Sequence, residues 1–152
     1  MSTGTVRGDS ETAEYIQQKL ADQRSFLHKS AALGTEHVLR DELAETWEEC
    51  SQPDWDGYNA LPVTLESYVN AQRLLISLPL GTRLPSIGAI PSGHISLEWH
   101  HSRRRTLTVT IDDNGDLHYA ALLGPGRTYG TEPFFDDSPQ IILDLIARVY
   151  QC

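Results

Sequence analysis

The densest chemistry in the chain lies in Asp54-Trp55-Asp56-Gly57-Tyr58-Asn59-Ala60-Leu61-Pro62, where two carboxylates, two aromatics and a glycine precede a proline. Asp54, Asp56 and Tyr58 could form an acidic site for a cation or ligand, and Glu98 is the further acid that a small enzyme would use. Calcium loops, however, need several oxygen ligands at spaced positions, and a glycine directly after the second acid fits no EF-hand pattern. Turn chemistry accounts for the same residues: Asp56 and Asn59 satisfy backbone N–H groups while Trp55 fills the core. On that reading Asp54, Trp55, Asp56, Gly57 and Tyr58 are a structural junction with Trp55 and Tyr58 as anchors, and losing Trp55 lowers stability before any specific activity.

The basic residues concentrate in Arg103, Arg104 and Arg105, just after His100-His101. Neighbouring histidines on a strand point to opposite faces, so they are poorly placed to share one metal. Arginines in a hairpin loop suit a phosphate or an acidic partner, against the default of a solvated tip. Gly124-Pro125-Gly126-Arg127 lacks the following helix and the lysine of phosphate-cradling loops, so it reads as a turn. Cys50 with His37, and Ser96 with His94 or Glu98, stand in no motif. No catalytic residue, metal or other cofactor is therefore assigned.

A formal net charge of -9 over 152 residues opposes generic nucleic-acid binding, whose phosphates must be neutralised by Lys and Arg. It suits a basic protein surface better. Cys50 and Cys152 make neither a disulfide framework nor a zinc pattern, which fits a reducing cytoplasm. No segment has the length and apolarity of a signal peptide or a membrane span. An apolar content of 39% is low for a globular chain, as expected where a partner covers part of it.

Four further segments have helical spacing. Between about Ser10 and Ala32, Ala13, Ile16, Leu20, Leu27 and Ala31 share one stripe. Leu33-Gly34-Thr35 separates this helix from a second, about Glu36 to Cys50, with Leu39, Leu43, Thr46, Trp47 and Cys50 on one side and Glu45, Glu48 and Glu49 elsewhere. The pair reads as a helical hairpin. Thr64 caps a third helix that Pro79 ends, and Ser138-Pro139 starts a last one with Ile142, Leu145, Ile146 and Val149 on its apolar side, widened by Ile141.

From Ser86 the period changes from 3.6 to 2, and the turns fix the register. A three-residue Asp113-Asn114-Gly115 loop with left-handed glycine faces Ile111 with Leu117, Val109 with Tyr119 and Leu107 with Ala121. Pro91-Ser92-Gly93 likewise pairs Ala89 with Ile95 and Ile87 with Leu97. These pairings predict a four-stranded antiparallel meander over about 86–90, 94–100, 105–112 and 116–123, with a short edge at 128–130 at most.

The Asp54-Trp55-Asp56-Gly57-Tyr58-Asn59-Ala60-Leu61-Pro62 run, the helix ending in Leu78-Pro79, and Pro91-Ser92-Gly93-His94-Ile95-Ser96-Leu97-Glu98-Trp99 together resemble a group of small bacterial proteins of unknown function. Ser92 stands where those proteins carry a turn aspartate. The resemblance covers roughly residues 53–135, implies a shared fold, and carries over no catalytic residue.

The whole reads as an α+β protein: a disordered tail over 1–9, a helical hairpin over 10–52, and a core over 53–152 whose C-terminal helix covers the sheet. The expected function is non-catalytic protein binding, by an inhibitor or antitoxin-like neutraliser, phage-encoded inhibitors of defence systems included. Contacts would come from Glu45, Glu48 and Glu49, from Arg103, Arg104 and Arg105, or from the polar sheet face. Pairing of the arginines with the acidic second helix, within the chain or across a homodimer, is a further expectation. The alternatives are an acidic site at Asp54, Asp56, Tyr58 and Glu98, and a nucleic-acid contact through Arg103–Arg105.

Overall fold

Leu107, Val109 and Ile111 are fully buried, and Thr106, Thr108 and Thr110 alternate with them on the other side of the strand. That period-2 pattern sets the architecture, because one sheet face must be covered and the other need not be. The computed structural model describes residues 33–151; the expected tail, and the expected first helix over about 10–32, lie outside the described residues. The chain divides into compact units Met1–His37 and Val38–Cys152, and the packing below is that of the second. The elements are α1 (Leu33–Cys50), α2 (Leu65–Ser77), β1 (Ser86–Ile90), β2 (His94–Ser102), β3 (Arg105–Ile111), β4 (Asp116–Leu123), β5 (Gly126–Pro133) and α3 (Gln140–Val149).

The five strands form one antiparallel meander in the order β1-β2-β3-β4-β5. Ala89 pairs with Ile95, Ile87 with Leu97, Ile111 with Leu117, Val109 with Tyr119, and Leu107 with Ala121, as the turns predict. Gly93 and Gly115 take the left-handed conformation that closes each loop, at φ 93° and 87°.

The fifth strand corrects the expectation of four. Gly126–Pro133 pairs with β4 along its whole length, from Leu123 opposite Gly126 to Asp116 opposite Pro133. Its glycines, threonines and proline give no apolar alternation, and an edge strand needs none. Gly130 also makes room for its neighbour: a Cβ there would lie 2.5 Å from the hydroxyl oxygen of Tyr119, whose ring covers it and would have to shift. The Gly124-Pro125 step is thus a two-residue hairpin loop, with Gly124 at φ 68°, and does not end the sheet.

α2 and α3 pack on the apolar face, where Ile95, Leu97, Trp99, Leu107, Val109, Ile111 and Leu117 are completely buried. Leu43 and Cys50 of α1 belong to the same core, and Trp47 meets Tyr68 of α2 with ring centroids 5.0 Å apart. Burial raises the pKa of the Cys50 thiol, and the neighbouring Glu49 carboxylate adds to the effect. Thr64 caps α2 by accepting from the Ser67 N–H at 3.1 Å. Ser67 then does long-range work: its fully buried hydroxyl donates to the Ile111 carbonyl at 2.6 Å and accepts from the Ile95 N–H at 2.8 Å. This single side chain ties the helix to two strands.

α3 buries Ile142, Leu145, Ile146 and Val149. Ile141 is 38% exposed and does not widen the buried side. Ser138 does not cap this helix either, since its hydroxyl bonds Ser77 at 2.6 Å and Pro139 takes the cap position with no side-chain bond.

Candidate functional site

A meander returns to the same end every second turn. The β1–β2 and β3–β4 turns therefore share one end of the sheet, and the β2–β3 and β4–β5 turns share the other.

At the first end the junction is stitched to the sheet. Asp54 and Asn59 adopt positive φ, 60° and 68°, as aspartate and asparagine tolerate. Asp54 accepts from the Asn59 N–H at 2.6 Å, and Asp56 accepts from the N–H groups of Tyr58 and Ala60 at 2.8 and 3.1 Å. Trp55 packs at the edge of the core and donates its indole N–H to the Leu61 carbonyl at 2.7 Å. The Leu61 N–H reaches the Pro91 carbonyl at 2.8 Å, and the Thr64 N–H reaches that of Gly93 at 3.0 Å. Tyr58 is 86% exposed, so of the two expected anchors only Trp55 packs. Glu98 lies on the other sheet face and five residues beyond Gly93, roughly 16 Å along the strand at about 3.3 Å per residue. The structure does not bring it to Asp54 and Asp56.

The same end holds two chains of hydroxyl, imidazole and carboxylate. Ser92 bonds His94 Nδ1 at 3.2 Å, and His94 Nε2 lies 3.5 Å from Asp113, which also accepts from Thr64. Thr131 bonds His118 Nδ1 at 3.1 Å, and His118 Nε2 is 2.8 Å from Asp112. Burial pushes the Asp112 carboxyl up, but bonds with His118 and with the Asp116 and Asn114 N–H groups outweigh it and hold the pKa below the usual value. Among the described residues no group of three or more His, Cys, Asp or Glu is placed to hold a metal. Sequence reasoning missed both chains, because Thr131 reaches His118 only through the unexpected fifth strand and His94 meets Asp113 only where two separate turns lie side by side.

The other end is built differently. Ser102 pairs with Arg105, and a bulge between His100 and Ser102 turns the strand, leaving Arg103 and Arg104 as the two loop residues. The Gly124 N–H bonds the Arg104 carbonyl at 2.8 Å and joins the two hairpin tips. Between them lies an open cleft of about 680 Å³, lined by Ser102, Arg103, Arg104, Leu122, Gly124, Pro125 and Arg127. Arg105 is not part of it. Its guanidinium turns inward and donates to the Arg148 carbonyl at 2.8 Å, closing the C-terminal end of α3. The expected Arg103–Arg105 patch is thus split, and Arg127 replaces Arg105.

No protein-family model, curated protein or solved structure matches the chain.

The outer sheet face is uncovered by the described helices, which pack on the opposite side. Its middle presents Ser96, Thr106, Thr108, Thr110, Ala120 and Tyr129, with Glu98 as its acid and Arg127 toward the cleft. Tyr129 is 76% exposed and Leu122 37% exposed. Glu45, Glu48 and Glu49 are exposed on α1 and share a stripe with Asp41, away from the buried Leu39, Leu43, Thr46 and Cys50. No described helix is long and apolar enough to cross a membrane.

Proposed function

We propose that this chain is a non-catalytic protein-binding module whose main contact surface is the outer face of the five-stranded sheet. One observation carries the reading: in a chain with net charge -9, the middle of this face has Glu98 as its one acid and displays a largely exposed tyrosine among threonines. Interface cores are depleted of charge and enriched in aromatics, so the face has the composition of a contact surface. Such a module works by occupying a partner's surface, as inhibitors and antitoxin-like neutralisers do.

The acidic stripe on α1 favours a secondary role. Glu48 and Glu49 stand at the negative end of a helix whose last turn has no basic residue, where carboxylates lower helix stability. They contribute little to the fold and suit the steering of a basic partner.

The test isolates native complexes with tagged wild type and with two variants, Thr108→Arg/Tyr129→Ala and Glu45→Lys/Glu48→Lys/Glu49→Lys. The sheet-face variant is expected to lose its complexes while remaining folded, and the helix variant to form them more slowly. Full recovery with the sheet-face variant would contradict the reading.

A further inference from the structure

The strongest unassigned feature is the cleft between the hairpin tips. Arg103 and Arg104 line it from one loop and Arg127 from the start of β5, so two separate hairpins bring three arginines to one open cleft. Such convergence is repulsive unless a countercharge is supplied. The fold supplies none: among the described residues the ion pairs lie elsewhere, at Arg73–Asp136, His94–Asp113 and His118–Asp112. Other arginines are engaged within the fold. Arg73 pairs with Asp136, Arg83 lies 4.4 Å from the Tyr150 ring centroid, and Arg105 holds the Arg148 carbonyl.

We propose that this cleft binds a phosphorylated small molecule carrying a diphosphate group. Guanidinium forks match phosphate oxygens two at a time, and three of them balance the charge of a diphosphate. Ser102 adds a hydroxyl to the lining, and Leu122 with Pro125 gives an apolar wall for whatever the phosphate is attached to. A cleft of about 680 Å³ falls in the size range of small-molecule sites.

A small anion fits better than a nucleic acid. The site is one local concavity with no track of Lys or Arg leading away: beyond Arg127 the sheet face carries the acid Glu98 and no further Lys or Arg, and the α1 surface is acidic. At physiological salt the acidic remainder is screened over about 8 Å, so it repels a long polyanion lying across it more than a compact ligand held in the cleft.

The test titrates the full chain with inorganic pyrophosphate at low and high salt, by calorimetry and by amide chemical shifts. Saturable binding of one equivalent is expected, weaker at high salt, with shifts concentrated at 102–104 and 122–127. Arg104→Gln/Arg127→Gln should weaken binding at least tenfold, while Arg73→Gln leaves it unchanged. Ser102→Glu, which puts a carboxylate at the rim without removing an arginine, should weaken it comparably and guards against a folding artefact. Absence of saturable binding at millimolar pyrophosphate would overturn the proposal, as would binding that the folded cleft variants retain. Tighter binding of a single-stranded oligonucleotide, with a steeper salt dependence than pyrophosphate, would replace it with a nucleic-acid interface.

Discussion

The two ends of the sheet use polar residues in opposite ways. At the end formed by the β1–β2 and β3–β4 turns, carboxylates, imidazoles and hydroxyls bond one another or the backbone of the junction. At the end formed by the β2–β3 and β4–β5 turns, one backbone bond joins the tips and three arginines face an open cleft. The first arrangement consumes its polar groups in holding the fold. The second leaves them available, and so does the outer sheet face between the two ends. Position in a meander decides which: the first end meets the junction and the start of α2, and among the described residues the second meets the end of α3, Tyr150 and the Arg83 carbonyl through Arg105, His101 and Trp99, none of which lines the cleft.

Substitutions can break this contrast. The largest effect is expected at Gly93, where a Cβ would lie 2.7 Å from the Pro62 carbonyl oxygen on a backbone already at positive φ. Gly93→Ala should cost about 3 kcal/mol in urea unfolding, the sum of left-handed strain and a backbone clash. Ser67→Ala comes next, because it strands a buried N–H and a buried carbonyl on neighbouring strands. A loss of about 2 kcal/mol is expected, and a change below about 0.5 kcal/mol would show that the sheet does not depend on this tie. Thr64→Ala removes the cap of α2 and a partner of Asp113, for a loss of about 1 kcal/mol.

Acid should sharpen the contrast further. The pKa of Asp112 is lower in the folded protein than its ordinary value of 3.8, so its stabilising contribution is complete above that value. As pH falls below 3.8 and through the folded pKa, the contribution is lost. The stability gap between wild type and Asp112→Asn should therefore be widest near neutrality and close on acidification; a gap independent of pH would mean that the ionised carboxylate is not what the turn uses.

Much of the first end was legible in the sequence. Pro91-Ser92-Gly93 and Asp113-Asn114-Gly115 each demand a left-handed glycine, and parity then sets the cross-strand pairs. Ser67 was not legible, because serine in a helix is a weak local signal and its partners lie 28 and 44 residues away. β5 escaped for a related reason: its pairing rests on backbone bonds and on a glycine under Tyr119, and neither leaves an apolar period. The cleft could have been found only by counting strands. Arg127 shares an end with Arg104 once a fifth strand exists, and parity turns Arg105 inward to α3.

The central claim is that the cleft arginines at the far end, unlike Arg105, are not spent on the fold, and the most direct measurement is the unfolding free energy of Arg103→Gln/Arg104→Gln/Arg127→Gln against wild type at neutral pH and low salt. The predicted result is a value within about 0.5 kcal/mol of wild type, or slightly higher as repulsion among the guanidinium groups is relieved. A loss comparable to that of Ser67→Ala would show that these arginines hold the structure together and would contradict the account.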